Sequence, residues 1–353
     1  MVPRLCIAVA DEMLAAALGL PAFNRCLSPQ ETLRFREQRY RDGNSAYPAW
    51  YLFGCQAKAV DGMVEIYRRQ GADVFLCPAG LLSENIAAEI IDAQLCSLPE
   101  PLFAAWQERQ LAVFGYLPSA YAAKTSLAKA LQKLGGARFL PLQQSYTRNS
   151  IPQLPAIYRP VWLVKSAYGA AGRNRDGTPY TVWRQEHLQE MLPALLAELA
   201  DGDELICTEF VFTCDPYAGF ADHVVHKMHF LSRPGKVPAP YGRYCQRFIH
   251  RCRHELLAEK KVVTLGEFIG RPEIVSGTID EVAAFADLAG CLSFLSGRVI
   301  FSVDFIIPPD GIPRFLEINK LAATFADAFD PALPPLIDYY AGLSLAAEKH
   351  KPA

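Results

Sequence analysis

The chain has 353 residues, 51% of them hydrophobic, and its 35 Lys and Arg nearly cancel 37 Asp and Glu to leave a net charge of −2. That apolar content excludes a disordered chain, the length excludes one small domain, and the charge balance excludes nucleic-acid binding through bulk charge. No stretch approaches the roughly 18 consecutive apolar residues of a membrane helix, and the run Leu5 to Ala10 is too short for a signal-peptide core. A cytoplasmic chain with no membrane partner is expected. The ten cysteines include no Cys-x-x-Cys pair and most have apolar neighbours, so buried reduced thiols are expected rather than a disulfide or zinc framework.

Residues 1–118 alternate strand-like and helical runs, which predicts a small α/β unit with a parallel sheet. Leu5 to Ala10 reads as a strand. Val60, Met63, Val64 and Tyr67 fall at helical spacing before Gly71, Asp73 to Cys77 reads as a buried strand, and Ser83 is expected to cap a helix carrying Ile86, Ile90 and Ile91. Residues 25–50 are polar, aromatic and arginine-rich without clear periodicity, a pattern consistent with a loop reaching a substrate. A second unit, 119–208, opens with a helix bearing Leu127, Leu131 and Leu134 and stopped by Gly135-Gly136. Strands are predicted at Arg138 to Leu142, Val161 to Lys165 and Glu204 to Thr208, with a helix from Arg184 to Ala200 kinked at Pro193. The third unit, 209–353, holds a strand at His223 to Leu231, a helix from Glu281 to Ser296, and a hairpin.

That hairpin carries the strongest chemical signal. Val299 to Ile307 and Ile312 to Asn319 are β-rich runs around Pro308-Pro309-Asp310-Gly311. A turn centred on Pro309 and Asp310 sets Asp304 opposite Phe315 and Ser302 opposite Glu317, so Phe315, Glu317 and Asn319 share a face with Asp304. Two carboxylates and an amide oxygen then converge among apolar residues. Three hard oxygen donors with no sulfur or imidazole suit magnesium, whereas an exposed hairpin with acidic residues facing water is the plainer alternative.

Cations supply the second signal. Lys165 ends an apolar strand and precedes the small-residue loop Ser166 to Arg173, which contains Tyr168, Gly169 and Gly172; ammonium and loop amides there converge on an anion, or else form an ordinary solvent-exposed turn. Residues 223–254 contain no Asp or Glu but include Lys227, Arg233, Lys236, Arg243, Arg247, Arg251 and Arg253. A solvated face and a wall beside an anionic site are both consistent with such a run. On a helix, Arg243, Arg247 and Arg251 would form one row. Lys227 is a candidate phosphate contact, and Arg247 and Arg298 are candidate carboxylate clamps. His223, His226 and His229, spaced by three, put the middle ring on the opposite face of a strand and are poorly placed for joint metal binding.

In this order, Lys124 on a helix, Lys165 before a glycine loop, the strand Ile206 to Val211 and the Asp304, Glu317, Asn319 hairpin together resemble the ATP-grasp superfamily of carboxylate-amine ligases, over roughly residues 119 to 325. The most specific part is the spacing of Asp304, Glu317 and Asn319, which is similar to the magnesium-binding pattern of D-alanine-D-alanine ligases. The resemblance implies an N-terminal α/β pre-ATP-grasp domain and two α+β lobes sandwiching ATP. It implies that Lys124 and Lys165 contact phosphates, that the loop from Ser166 to Arg173, with Tyr168, Gly169 and Gly172, closes over them, and that Glu209, Phe210 and Val211 meet adenine. Asp215 would hold the ribose, and Asp304, Glu317 and Asn319 would hold one or two magnesium ions. The implied reaction activates a carboxylate as an acyl phosphate for attack by an amine, with small-molecule carboxylate and amine substrates and with homodimerisation allowed. Thr208 stands where many members have a carboxylate, and Ser302 where the D-alanine enzymes have an arginine, which sets the chain apart from those enzymes. A kinase on the same scaffold and a noncatalytic ATP-binding module are the rival readings.

Overall fold

The computed structural model describes residues 2–9, 64, 67–96, 98–116, 124–167, 169–170, 172–174, 177–213, 222–232, 237–278, 282–293 and 299–320. In chain order the strands are β1 (Arg4–Val9), β2 (Asp73–Pro78), β3 (Ile90–Leu95), β4 (Ala112–Phe114), β5 (Gln143–Tyr146), β6 (Val161–Ser166), β7 (Gly169–Ala170), β8 (Arg173–Asn174), β9 (Thr181–Arg184), β10 (Leu205–Glu209), β11 (Asp222–Ser232), β12 (Ala239–Arg251), β13 (Val262–Thr264), β14 (Glu273–Thr278), β15 (Val299–Ile306) and β16 (Arg314–Lys320). The helices are α1 (Glu100–Glu108), α2 (Lys124–Lys133), α3 (Gln185–Ala197), α4 (His254–Glu259), α5 (Leu265–Ile269) and α6 (Val282–Cys291). Among the described residues no helix is long and apolar enough to cross a membrane.

The strands form three larger sheets. The first, ordered β2-β1-β3-β4, is parallel throughout, as expected of the N-terminal α/β alternation. Its central strand β1 is buried from Leu5 to Val9 because both neighbours and both faces cover it. Ile90 and Ile91, expected on a helix, lie in β3 instead: adjacent β-branched side chains pair with Leu5 and Cys6, and both are fully buried. The second sheet, β13-β9-β6-β10-β5, is antiparallel. Trp162, Val164 and Cys207 on one face pack with Leu188, Leu192 and Leu196 of α3. The strand expected at Arg138 to Leu142 starts later, at Gln143, because Gly136–Phe139 forms a 3-10 turn and Pro141 cannot donate to a ladder.

The third sheet, β14-β12-β11-β15-β16, is also antiparallel. Met228, Cys245, Val303 and Phe305 on its back face join Leu288 of α6, Leu292 just after it, and Leu127 and Leu131 of α2 in the largest core described. Cys6, Cys77, Cys207 and Cys245 are buried in these clusters. Burial pushes the Cys207 thiol up to about 12, so it stays protonated and unreactive at neutral pH.

Candidate functional site

Strand alternation in the third sheet makes one face apolar and the other chemical. Gln246, Lys227, Asp304 and Glu317 pair in succession across β12, β11, β15 and β16, forming a transverse row on the face opposite the core. The next row on that face is His229, Ser302 and Asn319. Here the register differs from the sequence reading by two residues. Asp304 lies directly opposite Glu317, and Ser302 opposite Asn319, because the turn centres on Asp310, one half-step later than expected, and Leu316 is an extra residue bulged between the Asp304–Glu317 and Phe305–Phe315 pairs. The turn occupies residues 307–313, with Gly311 at φ 73° and Asp310 accepting the Ile312 N–H at 2.9 Å. The bulge also moves Phe315, expected beside Glu317, into the core with Phe305. The two carboxylates therefore face each other directly rather than diagonally.

The opposing cations come from β6 of the second sheet and from the start of α2. Lys165 on β6 pairs with Ile206 and shares a cleft of about 330 Å³ with Lys124, Gly172, Asp304 and Glu317. Lys124, the first residue of α2, sets its Nζ 3.9 Å from a Glu317 carboxylate oxygen and 3.3 Å from the Tyr180 hydroxyl. Burial, reinforced by the neighbouring Lys124 ammonium, brings Lys165 down to about 8 despite the opposing pull of Glu317. Lys124 is likewise lowered by burial, with Glu317 working against it. An anion entering the cleft would relieve both penalties. Lys227 is buried under the ring of Phe248, its Nζ 5.3 Å from the ring centroid, and is paired in the ladder with Asp304.

The glycine loop folds back on itself: Gly169 pairs with Asn174 and Ala170 with Arg173, while Gly172 takes φ 74°. Asn174 Oδ1 accepts the Ser166 N–H at 2.7 Å, tying the loop to the end of β6. Glu209 also lines the cleft, but one carboxylate oxygen accepts the Leu142 N–H at 2.8 Å and the other accepts from Arg159. Phe210 and Val211 follow it along the wall. Phe210 packs edge-on to Phe268, with centroids 5.1 Å apart.

Other expectations are redirected. Arg243, Arg247 and Arg251 belong to β12, not a helix, so their spacing of four gives no helical row. Arg247 pairs with His226, one position out of phase with the Gln246–Lys227 row, and so projects to the back face, away from the cleft. His223 and His229 share the cleft face, whereas His226 stacks on Phe305 behind it at 5.2 Å. Tyr168, Asp215, Arg298 and residues 25–50 lie outside the described residues; Asn319 is placed by its backbone alone. Among the described residues no three His, Cys, Asp or Glu side chains converge on one point, so the donors placed there are the Asp304 and Glu317 carboxylates. Tyr180, His223 and His250 also line the cleft, beyond the site residues expected from the sequence. The two histidines carry only the signal of a polar side chain on a strand, and Tyr180, just before β9, carries none.

No family model matches the chain, and no curated protein matches it in sequence. In fold it is similar to D-cycloserine synthetase DcsG, with a TM-score of 0.51 at 14% identity over 98% of this chain and 99% of that one. Other similar structures are a RimK domain ATP-grasp protein from Sphaerobacter thermophilus (TM-score 0.49, 12% identity, 81% of this chain and 94% of that one) and the ATP-grasp ligase PsnB complexed with minimal precursor (TM-score 0.48, 14% identity, 80% and 94%). With a parallel sheet followed by two antiparallel sheets that face each other across a cation- and carboxylate-lined cleft, this chain has the ATP-grasp fold.

Proposed function

We propose that this chain is an ATP-dependent ligase that joins a small carboxylate, an amino acid or short peptide, to an amine. The observation that carries the reading is the cleft itself: Lys124 at the start of α2 and Lys165 on β6 face Asp304 and Glu317, and Lys227 stands beside Asp304 in the same row. Phosphoryl transfer needs positioned positive charge more than a protein nucleophile, and the cleft supplies it. In this reading Lys124, Lys165 and Lys227 bind and orient the triphosphate, and the Ser166–Arg173 loop shields the reaction from water.

The directly opposed carboxylates of Asp304 and Glu317, flanked by Asn319, fit a hard divalent cation by their donor chemistry. Magnesium held there would neutralise phosphate charge. The substrate carboxylate attacks the γ-phosphorus, releasing ADP and forming an acyl phosphate. The amine then attacks the acyl carbon, and phosphate leaves as the amide forms and the nitrogen loses a proton. Glu209 is better read as a brace than as a base contact, since both oxygens are already engaged. ATP supply places such an enzyme in the cytoplasm.

The test is ADP release with magnesium and ATP across a panel of amino acids, short peptides and other carboxylates, with and without amines, the products being weighed by mass spectrometry. An amide that requires both substrates supports the ligase. A stable phosphorylated compound without amide identifies a kinase, and ATP binding with no ADP from any mixture identifies a noncatalytic module.

A further inference from the structure

The end of the cleft away from the lysines is neutral, apolar and lined by two histidines. Four residues along β11 separate His223 from Lys227, about 13 Å at about 3.3 Å per residue. Leu163, Phe210 and Ile269 wall this end, and the Phe210 ring lies 4.5 Å from that of His223. His223 and His250 are cross-strand partners, each 8% exposed, with ring centroids 5.9 Å apart.

The protonation of both rings is fixed by their partners. His223 Nδ1 lies 2.9 Å from the Val211 carbonyl oxygen. A carbonyl only accepts, so Nδ1 carries the hydrogen and Nε2 of the neutral ring carries a lone pair. Burial keeps that ring neutral, bringing it down to about 4. His250 is held by the backbone oxygens of Ile269 and Gly270, and its buried Nδ1 has no hydrogen-bond partner among the described residues. It therefore donates through Nε2, while its Nδ1 is buried from the cleft, which leaves His223 as the ring that meets a ligand. Thr208, 4% exposed, also leaves its hydroxyl without a partner on this wall, but a hydroxyl rotates to donate or accept and does not discriminate.

Resting on the ATP reading above, we propose that His223, backed by His250, selects the nucleotide base, accepting a hydrogen bond from an exocyclic amine and repelling a base with an oxygen there. The 6-amino group of adenine supplies the required donor. A 6-oxo purine sets lone pair against lone pair in a buried, apolar slot, where an unmatched polar group is most costly. This is recognition by exclusion as much as by attraction.

The experiment compares ATP with ITP, which has an oxygen at position 6 and no 2-amino group, by titration calorimetry on the full chain with magnesium. Wild type is expected to bind ATP tighter by about tenfold to a hundredfold. His223→Leu should bring the two affinities together by weakening ATP, and His250→Leu should do so to a smaller extent. Circular dichroism melting establishes whether each variant is folded; the wild-type comparison stands even if one is not. Equal wild-type affinity for ATP and ITP overturns the proposal, as does a folded His223→Leu variant with undiminished preference. Binding of neither nucleotide would overturn the ATP reading, and this inference with it.

Discussion

Replacing Lys165 with methionine should raise the stability of the ligand-free protein and lower its affinity for ATP. Lys165 is desolvated on β6 beside Lys124, and its pKa falls from 10.5 to about 8. Below pH 8 the folded state therefore holds a proton less favourably than the unfolded chain does, a cost of about 3 kcal/mol as an upper estimate. Methionine keeps the stem's length and apolar packing and removes the charge. Spread over the melting entropy of a chain this long, the relief corresponds to a rise on the order of 4 °C. The sign reverses with ligand: without the ammonium, ATP binding should weaken by at least about tenfold. The pH dependence gives an internal control. Between about pH 8 and 10.5 the unfolded chain binds the proton that folded Lys165 has lost, so wild type should gain on the variant over that interval. Differential scanning calorimetry at pH 7 and pH 9.5, with and without ATP, reads both arms. A variant that melts lower without ligand at pH 7, or that binds ATP as wild type does, would refute the reasoning.

Glu317→Gln should cut magnesium-dependent ATP turnover by on the order of a hundredfold or more while leaving the melting profile nearly unchanged, and wild-type turnover would remove the metal assignment. Gly115→Ala should destabilise by about 2–5 kcal/mol, because φ is 72° and the new Cβ would sit 2.7 Å from Gln94 Cα. Gly71→Ala, at φ 85° with nothing within 4 Å, should lose only about 1 kcal/mol, so equal losses in chemical denaturation would refute the steric part. Acid should destabilise the protein as pH falls from about 6.5 towards 4, since burial brings His223 and His226 down to about 4 and the unfolded chain takes up their protons first. Each histidine contributes up to about 3 kcal/mol of that loss, and a His226→Phe variant with an unaltered pH profile would count against it.

What was legible in the sequence was local. Hydrophobic period and turn residues marked β1, β2, β6, β11 and the hairpin, because a strand buried on one or both faces writes its environment into adjacent side chains. Chain order and the spacing of Asp304, Glu317 and Asn319 pointed to the ATP-grasp fold before any contact was known. Ile90 and Ile91 misled because a helical count through Ile86 ignores that two adjacent β-branched residues pack well on both faces of a sheet.

What only the tertiary structure decided was register and facing. A turn centred on Asp310 and one bulged residue, Leu316, together set Asp304 against Glu317, and the bulge turned Phe315 into the core; no composition rule announces a bulge. Arg247 looked like a clamp by charge, but its phase on β12 turns it away from the cleft. His223 and His250 meet only because the consecutive strands β11 and β12 pair antiparallel, and the Val211 carbonyl fixes which nitrogen of His223 carries hydrogen. Side-chain type is a property of the sequence, whereas the direction in which it points depends on long-range pairing, and the chemistry of this cleft depends on direction.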